Sequence, residues 1–205
     1  MIGLFKRIKG APKPLPEDEL ARRLTAPGYR CACCDEVVDA AYAVRLRAPF
    51  GWPDPPAPEP DSALEGLGGQ RDIITENFAR RARDWLVRCY LPIPVKGTPD
   101  HVFLSVWVSL SLGHHARFRS AQIRGDADQL GDLFSWLYNR LPPSSGPILT
   151  KGLLVPQAGG LTPVYWITDE KHPLYPAQQE GLTAHEIAEL YAELGAQEVL
   201  QHLKA

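Results

Sequence analysis

Three of the four cysteines in the chain fall within four residues, at positions 31, 33 and 34. Cys31 and Cys34 have the C-x-x-C spacing with which one tight turn supplies two thiolates to a zinc ion. A structural zinc site takes four ligands, and no second pair is evident, because Cys89 falls in an apolar segment and His114 and His115 are adjacent. Two interpretations stay open: a zinc site that includes Cys31 and Cys34, or free thiols and no cofactor.

Three further side chains could bind a ligand. His172 lies in the sequence DEKHPLYP, where an imidazole could act as a ligand or an acid–base group, although capping or packing is the commoner role. Arg88 stands among apolar residues, so its guanidinium either holds a carboxylate or lies on the solvent face. Trp107 either contributes to an aromatic surface or belongs to the core. We therefore predict Arg88, Trp107 and His172 as binding residues and assign no catalytic residue.

The motifs that identify common enzyme classes are missing from the sequence. There is no G-x-S-x-G, no H-E-x-x-H, no phosphate-binding glycine loop and no dinucleotide fingerprint. This favours a non-catalytic protein-interaction module with a protein partner of unknown identity. The alternative is an enzyme, hydrolase-like, with an unrecognised site near His172.

Charge and composition restrict the function classes further. The 205 residues carry a formal net charge of −2, which gives no overall electrostatic reason to bind nucleic acid. No segment approaches the roughly 20 apolar residues that span a bilayer. The N-terminal MIGLFKRIKG has too short an apolar run for a signal peptide, but it could contact a membrane surface. Four cysteines without a secretion signal predict a cytoplasmic protein with reduced thiols.

Arg88 and Trp107 both belong to the segment on which the fold prediction depends, Trp85 to Leu112. It consists of an apolar run, the turn-forming sequence KGTPD and the strictly alternating sequence HVFLSVWVSLSL. Alternation with period two is typical of a half-buried strand, so we predict a long antiparallel hairpin. A five-residue loop over 96–100 would place the two apolar rows on opposite faces. Either a six-residue loop or a β-bulge restores the register, or both faces of the hairpin are covered.

Apolar spacing predicts the elements around this hairpin. Helical spacing predicts helices over Asp126–Leu141 and Thr183–Leu194, the second beginning with a capping box. A weaker pattern of the same kind predicts a helix over Arg71–Arg83. Strands are predicted over Ile148–Val155 and Leu161–Thr168.

Together these elements predict an α+β fold, with a central antiparallel sheet built from hairpins and helices packed on it. We expect residues 1–27 to form an N-terminal extension with a short helix. Residues 28–205 then form a single domain, which contains a proline-rich loop at 49–60 with six prolines.

Seven short motifs are spread over most of the chain. They are Cys31-x-x-Cys34, Arg88 with LPIPVKGT, VWVSLS at 106–111, NRLP at 139–142, GGLTP at 159–163, HPL at 172–174 and EGLT at 180–183. In order and spacing they resemble a bacterial domain-of-unknown-function family, number 2199, from about residue 29 to residue 194. The resemblance implies one coherent domain and carries over no established activity. It also implies that relatives have Gly, His and Cys where this chain has Asp35, Val38 and Phe78, which lowers the expectation of zinc.

Overall fold

The computed structural model describes residues 15–26, 28–30, 35, 37–38, 43–52, 54–64, 71–142 and 149–203. The helices are α1 (Glu17–Thr25), α2 (Leu112–Arg124), α3 (Leu174–Glu180), α4 (Ala184–Glu193) and α5 (Gln197–Leu200). The strands are β1 (Tyr29–Arg30), β2 (Val37–Val38), β3 (Ala43–Arg45), β4 (Ile73–Ile74), β5 (Phe78–Arg81), β6 (Asp84–Pro94), β7 (His101–Leu110), β8 (Leu133–Leu137), β9 (Thr150–Val155) and β10 (Val164–Ile167). Single 3₁₀ turns lie at Asp61–Leu64, Ala127–Leu130, Ala158–Gly160 and Gln201–Leu203.

Five strands, β6 to β10, close into a barrel. Each of the pairs β6–β7, β7–β8, β8–β9 and β9–β10 is antiparallel, and β10 returns to β6 through a parallel pairing of Val164 with Tyr90. Strands β5 and β4 extend the sheet from β6, and β3 adds to β7 in parallel. Closure pairs strand edges that an open sheet would leave unpaired.

The α+β fold class is confirmed, but the prediction of a central antiparallel sheet built from hairpins is only partly matched. The sheet is mixed, because β3–β7 and β10–β6 are parallel, and it closes on itself. Both parallel pairings join segments that are far apart in the chain. Local alternation of apolar residues predicts strands, and it carries no information on such long-range partners.

The central hairpin has a six-residue loop, which is one of the alternatives that the sequence leaves open. Pro94 pairs with His101, so residues 95–100 connect the strands. In this register Cys89 opposes Val106, and both side chains are buried in the barrel interior. The other face of the hairpin places Arg88 directly opposite Trp107. The two predicted binding residues are therefore cross-strand neighbours on the outer face of the barrel.

The helix predicted over Asp126–Leu141 is wrong. A single 3₁₀ turn ends at Gly131, which has a left-handed φ of 67°, and the chain continues as strand β8. Along β8, Leu133 and Leu137 are buried, whereas Phe134 and Trp136 are 50% and 39% exposed. The apolar positions in this segment fit helical spacing and strand alternation at once, and pairing with β7 and β9 selects the strand.

The helix predicted over Arg71–Arg83 is also wrong, since this segment forms the β4–β5 hairpin. The side chain of Asp61 holds the turn by accepting hydrogen bonds from the Thr75 hydroxyl and from Asn77. By contrast, the helix predicted over Thr183–Leu194 is confirmed as α4, with the Thr183–Glu186 capping box. The two predicted C-terminal strands are confirmed as β9 and β10.

The main core fills the barrel and extends to the helices packed on it. Leu20 and Leu24 of α1 belong to the same buried cluster as the barrel interior. A second, smaller cluster on the outer face of β6 and β7 contains Trp107 with Leu86, Ile74 and Ala79. The division into an extension over 1–27 and a domain over 28–205 stays a prediction.

A histidine buried in the main core makes the stability depend on pH. His115 of α2 contacts the rings of Phe78 and Trp85, at centroid distances of 5.4 and 5.1 Å. Burial, and next the positive charge of Arg119, lower the pKa of His115 to about 4. Between about pH 6.5 and this value the unfolded chain binds a proton that the folded chain does not bind. The free energy of unfolding should therefore fall over this window as the pH drops, by up to roughly 3 kcal/mol.

Urea unfolding of wild type and His115→Gln at about pH 7 and about pH 5 checks this expectation. The variant should lose less stability between the two pH values than wild type does. A matched substitution, His101→Gln at an exposed position, should leave the pH dependence unchanged. Equal losses in wild type and His115→Gln would contradict the burial of a neutral imidazole.

Candidate functional site

A segment that we call the strap, residues 43–60, crosses the outer face of β6 and β7; Pro53 within it lies outside the described residues. Backbone N–H groups anchor it at three points: Leu46 donates to Ser105, Phe50 to Tyr138 and Glu59 to Ile74. Asn139 adds a side-chain anchor, because its Oδ1 accepts from the backbone N–H of Trp107 and its Nδ2 donates to the Ala48 carbonyl. Its six prolines lack N–H groups, so fewer backbone donors need partners as the strap runs over the sheet.

Arg88 lies beneath the strap and is only 5% exposed. Its guanidinium carbon is 4.3 Å from the centroid of the Trp107 ring, a cation–π arrangement. Nε donates to the Glu76 carbonyl at 2.7 Å, and Nη1 donates to the Leu46 carbonyl at 3.4 Å and to the Ser105 hydroxyl at 3.3 Å. Nη2 is buried and has no hydrogen-bond partner among the described residues. A buried charged donor without a partner is costly, so Nη2 marks a position where a ligand acceptor would be stabilised.

Arg88 has no salt-bridge partner among the described residues. Burial, and next the positive charge of Arg45, lower the pKa of Arg88 to about 10, so the guanidinium is still protonated at neutral pH. The attraction of Asp61 is only a minor influence on this pKa. Within the described part of the chain, no carboxylate forms a salt bridge with Arg88, Arg45 or Arg47. An anion bound here would relieve the repulsion between the guanidinium groups.

A cavity of about 770 Å³ lies where Arg88 meets the strap. Arg88 lines it from the sheet, and Arg45, Arg47, Trp52 and Asp54 line it from the strap. The volume falls within the range of roughly 300–1,000 Å³ that is usual for small-ligand sites. Three guanidinium groups against one carboxylate give the cavity a positive balance. The chemistry that this arrangement supports is the binding of an anion.

The structure brings two of the three predicted binding residues together and leaves the third apart. Arg88 contacts Trp107, as described above, but neither the fully buried Trp107 nor His172 lines the cavity. His172 is 1% exposed at the start of α3, where its Nδ1 accepts from the Leu174 N–H at 3.1 Å. Burial lowers the pKa of His172. Its Nδ1 is hydrogen-bonded locally, whereas its Nε2 is buried and has no hydrogen-bond partner among the described residues. A binding role for His172 stays a prediction.

The predicted metal ligands Cys31 and Cys34 lie outside the described residues, so zinc binding there stays a prediction. Across the ranges that the structure does describe, no group of three or more His, Cys, Asp or Glu side chains is placed to hold a metal ion. Cys89 lies in the barrel interior, and burial raises the pKa of its thiol.

The sequence interpretation missed Arg45, Arg47 and Trp52. One signal was available: Arg45 and Arg47 are two residues apart directly at the end of a strand, which places both side chains on the same face. Their convergence on Arg88 depends on the parallel pairing of β3 with β7, which puts Arg45 opposite Ser105. Periodicity within the strap does not indicate that pairing.

None of the described helices has the length and apolar composition needed to cross a bilayer. The N-terminal MIGLFKRIKG lies outside the described residues, so its contact with a membrane surface stays a prediction.

The site and the barrel that carries it fall within a conserved bacterial domain. The family model described as "Uncharacterized protein conserved in bacteria (DUF2199)" matches residues 30–182. The chain belongs to this family, which confirms the resemblance seen in the sequence motifs. Comparisons with curated proteins and with solved structures found no match.

Proposed function

We propose that this domain is a non-catalytic binding module that recognises an anionic group in the strap cavity. The observation that carries the proposal is Arg88, a buried guanidinium with one unpartnered nitrogen and no carboxylate partner among the described residues. Leaving a buried charge unpaired costs several kcal/mol of stability. An anion that enters the cavity would pair with Nη2 and recover part of that cost.

The proposal gives a chemical basis to the sequence-based hypothesis of a cytoplasmic interaction module. The recognised group is an oxyanion that pairs with guanidinium, and it could belong to a protein partner or to a small molecule. A hydrolase-like enzyme that uses His172 stays a separate hypothesis, because His172 does not line this cavity.

Phosphate should stabilise the wild-type protein against heat more than chloride does at equal ionic strength. A ligand that binds only the folded state stabilises it by about 2.7 kcal/mol when present at 100 times its dissociation constant. Arg88→Met keeps an apolar side chain over Trp107 and removes the charged donor, so most of the phosphate-dependent rise in Tm should disappear. The measurement is the Tm of each protein in phosphate minus its Tm in chloride.

The difference between the two salts is compared within each variant, so any effect of Arg88→Met on the fold cancels. Arg124→Gln is the matched control, because Arg124 is exposed at the end of α2 and does not line the cavity. It should keep the wild-type response. An equal phosphate response in wild type and Arg88→Met would refute the proposal.

A further inference from the structure

We infer that the anion is the phosphate group of a small phosphate monoester whose organic part is flat and apolar; this inference rests on the proposed function. The free donors of Arg88 favour phosphate over a carboxylate. A carboxylate is typically bound by two parallel N–H groups from two nitrogens of one guanidinium. In Arg88, Nε already donates to Glu76, and Nη1 already donates to Leu46 and Ser105. Only Nη2 is without a partner among the described residues, so this arginine does not offer the two-nitrogen fork that a carboxylate prefers.

The other guanidinium groups of the cavity also favour phosphate over a carboxylate. Arg45 and Arg47 line it from the strap, whereas Arg88 lines it from the sheet, so an anion between them meets guanidinium groups from more than one side. A phosphate monoester has three terminal oxygens and a charge of about −1.5 to −2 at pH 7. It can therefore pair with three separate arginines, whereas a carboxylate has two coplanar oxygens and one charge. Asp54 also lines the cavity; it is exposed, as Arg45 and Arg47 are, so solvent screens all three charges and the balance of the cavity stays positive.

The walls of the cavity favour an ester with a flat, apolar organic group. The half-buried indole of Trp52 and the rings of Pro55, Pro56 and Pro58 line it from the strap. The guanidinium of Arg81 lies 5.7 Å from the centroid of the Trp52 ring and helps to hold the indole in place. These rings form an apolar wall beside the guanidinium groups, and a bare phosphate ion would leave that wall without a contact. An ester group that packs flat on Trp52 would use it.

The anchoring of the strap favours a free small molecule over a segment of a protein partner. Hydrogen bonds tie the strap down both before and after its cavity-lining residues 52 and 54–58, through Phe50 and Glu59. Because the strap is held at both ends, the cavity suits a compact ligand better than an extended chain that must pass through it. The volume is that of a small-ligand site as well.

Isothermal titration calorimetry on the full chain tests the inference with four probes at one ionic strength. These are inorganic phosphate, phenyl phosphate, benzoate and a pentapeptide with one phosphotyrosine between alanines. Phenyl phosphate should bind about tenfold more tightly than inorganic phosphate, the gain expected from one aromatic contact. It should also bind more tightly than benzoate and at least as tightly as the peptide.

Two variants separate the contribution of the apolar wall to binding from that of the guanidinium groups. Trp52→Leu should remove most of the advantage of phenyl phosphate over inorganic phosphate and leave inorganic phosphate binding close to wild type. Arg45→Gln combined with Arg47→Gln should weaken both phosphate probes by about tenfold or more, since each lost charge-assisted contact typically costs a several-fold change.

Each contrary result would contradict a separate part of the inference about the ligand. Equal binding of phenyl phosphate and inorganic phosphate overturns the apolar wall, and benzoate as tight as phenyl phosphate overturns the phosphate assignment. Tighter binding of the peptide overturns the small-molecule source. In all three cases an anion still binds and the proposed function stands. Failure of every probe, or unchanged binding to Arg88→Met, refutes the proposed function itself.

Discussion

Replacing Gly152 with alanine is expected to destabilise the barrel by about 3 kcal/mol or more, at the upper end of overpacking effects. A Cβ at this position would lie 2.3 Å from the Trp166 carbonyl oxygen and 2.4 Å from the Tyr165 hydroxyl oxygen. The first atom belongs to the backbone of β10, which pairs with β9, so relief requires the two strands to separate. The second is fixed, because Tyr165 is fully buried and donates to the Thr150 carbonyl at 2.7 Å.

Gly113→Ala is the matched control for this substitution. Gly113 lies in the first turn of α2, and an added Cβ there meets nothing within 4 Å. Alanine should stabilise the helix by up to about 1 kcal/mol. The measurement is the free energy of unfolding in urea for both variants. A loss below about 0.5 kcal/mol for Gly152→Ala would contradict the close approach of β9 to Tyr165.

Leu137→Ala should cost about 2–5 kcal/mol, because Leu137 is fully buried and its truncation leaves a cavity in the barrel interior. Phe134→Ala on the same strand removes more atoms, yet it should cost less than about 1 kcal/mol, since Phe134 is 50% exposed. Both values come from urea unfolding. In a strand these two residues face opposite sides, whereas in a helix residues three apart share one face. Similar losses for both variants would therefore favour the helix that the sequence predicts, against strand β8.

The parts of the fold that follow from the sequence are those in which neighbouring residues decide the outcome. The β6–β7 hairpin is predictable because alternation and turn residues agree, whereas the sequence leaves a six-residue loop as one of several alternatives. Helix α4 is predictable because its capping box and apolar stripe coincide. Strand β8 is not, because Leu133 and Leu137 are spaced as a helix or a strand would space them, and only the partner strands distinguish the two.

In the candidate site, too, some contacts are set by neighbouring residues and others by distant parts of the chain. The register of one hairpin places Arg88 opposite Trp107, so their proximity is encoded locally. Arg45, Arg47 and Trp52 reach the cavity through the path of the strap, which is fixed by partners as distant as Tyr138 and Ile74. A proline-rich sequence reads as a connecting loop, and its function as one side of a cavity depends on those long-range hydrogen bonds.

The pairing of Arg88 with an external anion can be observed directly by nitrogen NMR of the arginine side chains. Arg88→Met assigns the Arg88 signal by its loss, and Arg124→Gln does the same for an exposed control. On titration with phosphate, the Arg88 guanidinium signal should shift with a saturable dependence while the Arg124 signal stays in place. Saturating phosphate that shifts exposed arginines and leaves Arg88 unchanged would contradict the assignment of the strap cavity as an anion site.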